Sequence, residues 1–213
     1  MPEELREVRT LIMDVTPLFQ QECYQRIYNR MPDFRKEKAD RLRPPRDKAR
    51  SVGAWYLRML AESRYGQIKE CSCNLSHSGD YALCSVGPAG ERVGCDVEMI
   101  KDFREGVARR FFCEEEYEDI MKQEDAARTE QFYRYWVLKE SFMKATRQGM
   151  AMGLDRFSIA FDQDGKPSLM RKPRDVAWQF FFKEYEISGA RAAVCSTCSE
   201  FADSMEVCDV KCF

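Results

Sequence analysis

The chain has 213 residues, of which 44% are hydrophobic and 33% charged, and its net charge at pH 7 is −2. It is too apolar for a disordered protein, and a charge so near zero gives no reason to expect a nucleic-acid partner. The longest apolar runs, such as 180–182 and 192–195, are far shorter than the roughly 20 residues of a membrane span. Because the first residues, Met1-Pro2-Glu3-Glu4, form no apolar leader, we expect a cytoplasmic protein.

The first half of the chain is predicted to form helices followed by strands. Thr16-Pro17 is typical of a helix start, with Thr as the N-cap and Pro at the first position. Gly87-Pro88-Ala89-Gly90 indicates a hairpin loop between two strands. In chain order, the predicted elements are a strand over 8–15, helices over 16–29, 33–42 and 47–63, and strands over 81–86 and 92–98.

The second half partly repeats this order. Its predicted elements are helices over 104–110, 114–122 and 130–147, then strands over 156–161, 167–170, 177–187 and 190–196. Two turn signals, at Asp162 to Gly165 and at Ser188-Gly189, predict hairpins. The sequence therefore predicts an α+β fold with two halves, 1–101 and 102–213, each a small, mostly antiparallel sheet packed on helices.

Two short stretches carry acids and a lysine at spacings that bring them together. Asp96 and Glu98 lie at i and i+2 of a predicted strand and project from one face, whereas Glu140 and Lys144 lie at i and i+4 of a predicted helix. Three carboxylates and a lysine would suit Mg²⁺ and a phosphorylated ligand. Taken separately, the acids fit the wet face of a strand, and Glu140 with Lys144 fits a helix ion pair worth about 0.2–0.5 kcal/mol.

The segment 30–50 is locally basic, with nine Lys or Arg residues against four Asp or Glu. This charge fits a small polyanion, or simply a solvated helix face. His77, the only histidine, lies in a polar, turn-like stretch at 74–79, where it would donate to a phosphate or hydrogen-bond its own loop. Trp136, one turn before Glu140, is more typical of a core residue than of one that stacks on a ligand.

Ten cysteines in an intracellular chain are most simply reduced thiols. Cys195 and Cys198, followed by Cys208 and Cys212, have a spacing that resembles a four-thiolate zinc site. However, Cys195 ends an apolar run that predicts a strand interior, and nine residues between the pairs are few for a zinc ribbon. We therefore favour buried thiols over zinc.

Three motifs, taken in order, resemble the signature of the surfactin-synthetase-activator type of 4′-phosphopantetheinyl transferase. They are Asn74-Leu75-Ser76-His77-Ser78-Gly79, Gly94-Cys95-Asp96-Val97-Glu98, and Trp136-x-x-Lys139-Glu140-Ser141-Phe142-x-Lys144. The resemblance covers nearly the whole chain, from the strand ending at Met13-Asp14, through the basic segment 35–50, to 154–158. Any one motif would be weak, whereas the joint match is specific.

This resemblance implies a pseudo-two-fold pair of α+β halves that bind coenzyme A in the cleft between them. The implied activity is Mg²⁺-dependent transfer of phosphopantetheine to a serine of an acyl or peptidyl carrier protein, with release of 3′,5′-ADP. The implied Mg²⁺ ligands are Asp96, Glu98 and Glu140, and the implied catalytic residues are Glu140, Lys144 and Asp96, with Glu140 as the favoured base. The implied coenzyme A contacts are Lys38, Arg46, Arg50, Asn74, Ser76, His77 and Lys144.

One departure from the family pattern lies in the connection before Asn74. The family usually has Gly-Lys-Pro there, whereas this chain has a shorter connection that contains Lys69. Two other functions stay open, namely a Mg²⁺-dependent hydrolase of coenzyme A or nucleotides and a non-catalytic module that binds coenzyme A or a carrier. We expect a monomer, and the sequence does not indicate which carrier it serves.

Overall fold

The computed structural model of the chain describes residues 4–210, except the side chains of Met150 and Ala151. Within that range, six α-helices and nine strands are joined by short loops and 3-10 turns. The elements are β1 (Arg9–Asp14), α1 (Gln21–Asn29), α2 (Asp33–Asp40), α3 (Pro45–Tyr65), β2 (Cys73–Ser78), β3 (Tyr81–Val86), β4 (Val93–Met99), α4 (Glu105–Phe111), α5 (Glu114–Met121), α6 (Asp125–Thr146), β5 (Ser158–Phe161), β6 (Pro167–Arg171), β7 (Phe181–Ile187), β8 (Ala190–Ser196) and β9 (Glu206–Val207).

The first sheet has the strand order β2-β3-β1-β9 and is antiparallel except for the parallel pair of β1 and β9. Helix α3 covers one face of it. Apolar residues of this helix, including Val52 and Leu57, pack in one core with Leu11 and Met13 of β1. Burial of this helical face against the sheet is the main source of stability for this part of the molecule.

The second sheet has the strand order β4-β8-β7, and all its pairs are antiparallel. Helix α6 crosses this sheet, with its apolar residues in two cores shared with β8 and with the antiparallel hairpin of β5 and β6. Since Gly94 has no side chain, the α6 backbone lies directly against β4. A Cβ at position 94 would come within 2.1 Å of the Ser141 carbonyl oxygen and 2.3 Å of the Ala145 nitrogen.

The predicted α+β class and small, mostly antiparallel sheets packed on helices are confirmed. Four local predictions were wrong. The stretch at 74–79 is not a turn, since residues 73–78 form β2, which pairs with β3 through a turn at Gly79-Asp80. Consequently β3 and β4 are not a hairpin: they lie in different sheets. The helix predicted over 16–29 is a 3-10 turn followed by α1, because Gln20 is extended, and α6 begins at Asp125.

The two sheets meet where β2 lies alongside β4, each at the edge of its own sheet. Strands also cross the predicted division of the chain. Strand β4, from the first half, pairs with β8, and β9, from the second half, pairs with β1. The boundary at residue 101 stays a prediction, but this pairing ties the two halves together at the place where the predicted site lies.

Candidate functional site

A pocket of about 280 Å³ opens where β2, β4 and α6 meet. It is lined by Leu75, Ser76, His77, Asp96, Glu98, Trp136, Glu140 and Lys144. All three predicted metal ligands and all three predicted catalytic residues are therefore on one surface. The half-buried ring of Trp136 packs edge-on against Phe111 and Phe112, as a core residue would, and it also lines the pocket.

Helix α6 is held against β4 from two sides, which fixes where Glu140 and Lys144 lie. On one side, Gly94 lets the helix backbone contact the strand. On the other side, Lys139 is fully buried and its ammonium lies 2.6 and 2.7 Å from the Glu116 carboxylate oxygens and 2.7 Å from the Phe157 carbonyl oxygen. Lys139 of the signature motif is thus an internal anchor of the helix, and its neighbour Glu140 faces the pocket.

Lys144 and Asp96 form the ion pair at the centre of the pocket. The Lys144 ammonium donates to Asp96 Oδ1 at 2.6 Å, and also to Ser76 Oγ and the Cys95 carbonyl oxygen, both at 3.1 Å. Burial alone would lower the pKa of Lys144, but the nearby negative charge of Asp96 raises it above its usual value. Lys144 therefore stays charged, and it brings a fixed positive charge to the pocket.

The negative charge of the other two carboxylates is only partly compensated. Burial, and then the charge of Asp96, raise the pKa of both Glu98 and Glu140 above the ordinary value for glutamate. Each lies half-buried beside acids of like charge, and Lys144 offsets this only in part. A cation placed among them would relieve that repulsion.

The pocket fits Mg²⁺ in its donor chemistry, although it is not a closed metal cage. Asp96 Oδ2 is buried and has no hydrogen-bond partner among residues 4–210, which leaves a carboxylate oxygen for a ligand. Within the same residues, no group of three or more His, Cys, Asp or Glu side chains is placed to hold one ion. Since Mg²⁺ usually takes one or two carboxylates together with waters and phosphate oxygens, such a group is not required.

Three of the predicted coenzyme A contacts, His77, Lys38 and Arg50, are near enough for their charges to interact, and His77 lines the pocket. The His77 side chain is exposed, yet the surrounding groups desolvate it enough to lower its pKa, and the positive charges of Lys144, Arg50 and Lys38 lower it further. The pKa of the exposed Lys38 is also lowered, by partial desolvation and by the charge of Arg35. An anion bound beside these groups would offset the positive charges of Lys38 and Arg50.

Two other predicted contacts have different neighbours. The Arg46 guanidinium lies 5.1 Å from the centre of the Phe19 ring and is exposed to solvent. The Asn74 side chain does not line the pocket, because its Oδ1 accepts a hydrogen bond from the Cys95 amide at 3.1 Å. Arg50, by contrast, supports the β2–β3 turn, where its Nε donates to the Gly79 carbonyl oxygen at 2.6 Å.

Arg35 was not among the predicted site residues, although the matching segment contained it. Its Nε is buried without a partner in the described part of the chain, and its Nη2 makes only a long hydrogen bond, 3.4 Å, to the Ser51 carbonyl oxygen. Desolvation, and then the charge of Arg58, lower the pKa of Arg35. Arg35, whose charge acts on Lys38, is therefore a further candidate for the site, and its i,i+3 spacing from Lys38 was the signal in the sequence.

Among residues 4–210, the cysteines form no group placed to hold a metal ion. Cys195 is fully buried in β8, as its apolar neighbours predicted, and Cys208 is buried beside the first sheet. Cys212, the fourth thiol of the zinc pattern, lies outside the described residues. Between residues 4 and 210 there is also no helix long and apolar enough to span a bilayer.

The family model described as the 4′-phosphopantetheinyl transferase superfamily matches residues 92–198, about half of the chain. The chain belongs to this superfamily. The 4′-phosphopantetheinyl transferase Sfp of Bacillus subtilis is 33% identical over 139 residues, which are 65% of this chain and 60% of that protein. The 4′-phosphopantetheinyl transferase HetI of Nostoc sp. is 36% identical over 107 residues, 49% of this chain and 43% of that protein.

The chain thus spans about three-fifths of Sfp and less of HetI. These relatives confirm the predicted resemblance to the surfactin-activating type. Among solved structures, a holo-(acyl-carrier-protein) synthase of Bacillus anthracis in complex with CoA is 17% identical, with a TM-score of 0.43 over 49% of this chain and 92% of that chain.

Proposed function

We propose that this protein transfers the 4′-phosphopantetheine arm of coenzyme A to a serine hydroxyl of an acyl or peptidyl carrier protein and releases 3′,5′-ADP. The observation that carries the proposal is the pocket itself, where the Lys144–Asp96 pair lies beside two glutamates with raised pKa values. The names of the relatives, all 4′-phosphopantetheinyl transferases, support the same reaction. We also propose that the protein acts as a cytoplasmic monomer, without a membrane or nucleic-acid partner.

Asp96, Glu98 and Glu140 are the residues that would hold Mg²⁺ together with the pyrophosphate oxygens of coenzyme A. When bound, the ion would neutralise charge on the phosphates as the bond to the leaving group breaks. The unpartnered Asp96 Oδ2 supports this assignment. Among the described residues, the three carboxylates are not already arranged to hold one ion. The position of the bound pyrophosphate would therefore decide which two of them bind Mg²⁺ directly.

In the transfer step, the carrier serine oxygen bonds to the phosphorus that bears pantetheine, and the pyrophosphate bond to 3′,5′-ADP breaks. The serine proton must leave as the new bond forms. Glu140 is our proposed acceptor, because its carboxylate lines the pocket beside Asp96 and Lys144. Lys144 stays charged and stabilises the phosphate oxygens of the transition state, where electrostatic help lowers the barrier most.

The basic segment would bind the nucleotide end of coenzyme A. Its 3′-phosphate is separate from the pyrophosphate, so the ligand requires a second positive surface some distance from the first. The positive charges of Lys38 and Arg50 act on His77, and a phosphate bound beside them would offset these charges. Arg35 adds a further positive charge near Lys38. Arg46 extends the same surface into solvent.

The test is direct transfer by the full chain. Purified protein is incubated with coenzyme A, Mg²⁺ and a panel of acyl and peptidyl carriers, and each carrier is measured by mass spectrometry. We expect a mass gain of one phosphopantetheine arm on at least one carrier, lost when Mg²⁺ is chelated. No gain on any carrier would contradict the proposal.

Two further measurements separate the two other functions. A hydrolase would release free phosphopantetheine from coenzyme A in the absence of any carrier. A non-catalytic module would bind coenzyme A in calorimetry and show no turnover. The charged Lys144 and the glutamates with raised pKa favour the transferase over this last possibility, because a binding module has no need of a desolvated base.

A further inference from the structure

Strands β2 and β4 are joined by a regular series of side-chain hydrogen bonds, with no backbone ladder between them. Asn74, Ser76 and Ser78, which alternate along β2, each accept a hydrogen bond from a backbone N–H of β4. The donors are Cys95 at 3.1 Å, Val97 at 3.4 Å and Met99 at 3.3 Å. Each pair is separated by 21 residues in sequence, so the strands run in parallel and in fixed register.

The hydroxyl groups of Ser76 and Ser78 each accept one hydrogen bond and donate another. Because each oxygen accepts from a backbone N–H, its own proton is free to donate, and it donates to the nearest carboxylate of β4. Ser76 donates to Asp96 Oδ1 at 2.9 Å, and Ser78 donates to Glu98 Oε2 at 2.7 Å. The register that joins the sheets therefore also orients the two carboxylates that face the pocket.

Asn74, the third residue of the series, shows that a hydroxyl group occurs only where β4 carries a carboxylate. Asn74 binds the Cys95 amide through a carbonyl-type oxygen, and the β4 residue before Cys95 is Gly94, which has no side chain to orient. Gly94 is where α6 contacts the strand. Hydroxyl groups thus occur at the two positions that face a carboxylate, and an amide occurs where there is none.

We propose that Ser78 is a positioning residue, whose hydroxyl holds Glu98 in the orientation in which this carboxylate helps to bind Mg²⁺, as the Ser76 hydroxyl does for Asp96. This rests on the proposed function. It gives Ser78 a role in the site although it does not line the pocket. It also gives Ser76 a second role, orienting Asp96, in addition to the nucleotide contact that the resemblance implies.

The hydrogen bond from Ser78 is the one that the Glu98 carboxylate makes within residues 4–210. Without it, the half-buried side chain is free to turn toward solvent or toward Lys101, whose charge acts on it. Groups that orient a metal ligand typically change metal affinity by about 10- to 100-fold when they are removed. We therefore expect that loss of the Ser78 hydroxyl will mainly weaken metal binding.

The experiment measures Mn²⁺ binding to the full chain with coenzyme A present, by electron paramagnetic resonance, for wild type, Ser78→Ala, Ser78→Thr and Ser85→Ala. Threonine keeps the hydroxyl and suits a strand. Ser85 is a matched control on β3, a buried serine whose hydroxyl contacts Thr10, 2.9 Å away, and no carboxylate. Thermal unfolding is recorded for each variant.

We expect Ser78→Ala to weaken Mn²⁺ binding about 10-fold or more. Ser78→Thr should stay within about twofold of wild type, and Ser85→Ala should lower the unfolding temperature without changing Mn²⁺ affinity. Equal Mn²⁺ affinity in Ser78→Ala and wild type would overturn the proposal, as would an equal loss in Ser78→Ala and Ser85→Ala. Failure of the proposed function would instead appear in wild type, as no transfer to any carrier despite normal Mn²⁺ binding.

Discussion

The acidic centre of the pocket and the basic surface formed by Lys38, Arg46 and their neighbours differ in how firmly the fold holds them. At the acidic centre, Asp96 is buried and paired with Lys144, and Ser76 links both. At the basic surface, Lys38 and Arg46 are exposed to solvent, and their charges lie on helical side chains that make few contacts. A buried, hydrogen-bonded charge keeps its geometry, whereas an exposed lysine or arginine samples many rotamers.

This difference matches the two tasks that we propose. Phosphoryl transfer gains most from groups fixed in advance around the reacting atoms, because they need no reorganisation at the transition state. Holding a remote 3′-phosphate requires only positive charge within reach. We therefore expect changes at the acidic centre to reduce the rate of transfer strongly, and changes at the basic surface to alter coenzyme A binding modestly.

Asp96→Asn tests the acidic centre, which the fold holds firmly, and should have the largest effect on transfer. It removes the charge that pairs with Lys144 and the unpartnered oxygen offered to the metal. We expect transfer to fall by about 10²- to 10³-fold, with the chain still folded, since losses at transition-state groups are of this order. Carrier mass gain over time measures the rate, and circular dichroism the fold.

Glu184→Gln is the matched control for Asp96→Asn. Glu184 also lies in a half-buried ion pair, 2.8 Å from Arg134 Nη2, but it does not line the pocket. We expect it to lose stability and to keep its rate. If Asp96→Asn retained most of the wild-type rate, the acidic centre would not be the reacting site, and the contrast with the basic surface would fail.

Gly94→Ala tests whether the close contact of α6 with β4 sets the geometry of the centre. The added methyl group meets backbone atoms of Ser141 and Ala145, which cannot rotate away. We expect a loss of about 1–3 kcal/mol in the free energy of unfolding, as for other overpacked sites. Transfer by the folded fraction should fall by about 10²-fold, because misplacement by about 1 Å has effects of this size.

Gly106→Ala in α4 is the control, because a Cβ there meets nothing within 4 Å. In a helix this change should be neutral or should stabilise by up to about 1 kcal/mol. Chemical denaturation measures both variants. A Gly94→Ala protein with wild-type stability and rate would show that the helix is not positioned by this contact.

The sequence predicted the site better than it predicted the fold around it. Spacing alone put Asp96 and Glu98 on one strand face and Glu140 and Lys144 on one helix face, and these four side chains line one pocket. Local periodicity is sufficient for such pairs because strand and helix geometry are fixed. The motif also located His77 beside them, although its own strand was taken for a turn.

The strand pairing was not predictable in the same way. Gly87 to Gly90 has the composition of a hairpin loop, yet β3 and β4 diverge into different sheets. Whether two successive strands pair depends on where the rest of the core places them, and here β4 pairs with β8, about a hundred residues later. Strand β2 was missed because its polar residues bind β4 and the pocket, so the usual apolar alternation is absent.

Lys38→Ala tests the basic surface, whose side chains are exposed to solvent, and should have a smaller effect on transfer. An exposed charge contributes about 0.2–1 kcal/mol, so we expect the KM for coenzyme A to rise about two- to fivefold with kcat unchanged. The effect should vanish with dephospho-coenzyme A, which lacks the 3′-phosphate. Lys122→Ala, at an exposed lysine that does not line the pocket, serves as the control. An equal rise for both substrates would rule out the 3′-phosphate contact.

The smallest expected effect is the pH dependence of stability caused by Glu98 and Glu140. Both have pKa values raised above 4.5 in the folded chain, so the folded state binds their protons more tightly than the unfolded state does. Between 4.5 and the raised values, these groups therefore make the protein more stable as pH falls and less stable as pH rises. The change in the free energy of unfolding should be small, because both side chains are only half-buried and solvent screens their charges in part.

Urea unfolding at several pH values, without and with Mg²⁺ and coenzyme A, measures this trend. A bound cation favours the charged carboxylates, so the ligands should remove the trend, and the double variant Glu98→Gln/Glu140→Gln should lack it in both conditions. If the trend persisted unchanged with saturating ligands, these glutamates would not be near the metal. The acidic centre would then be an internal ion pair, and the difference between the two charged regions would reflect folding alone.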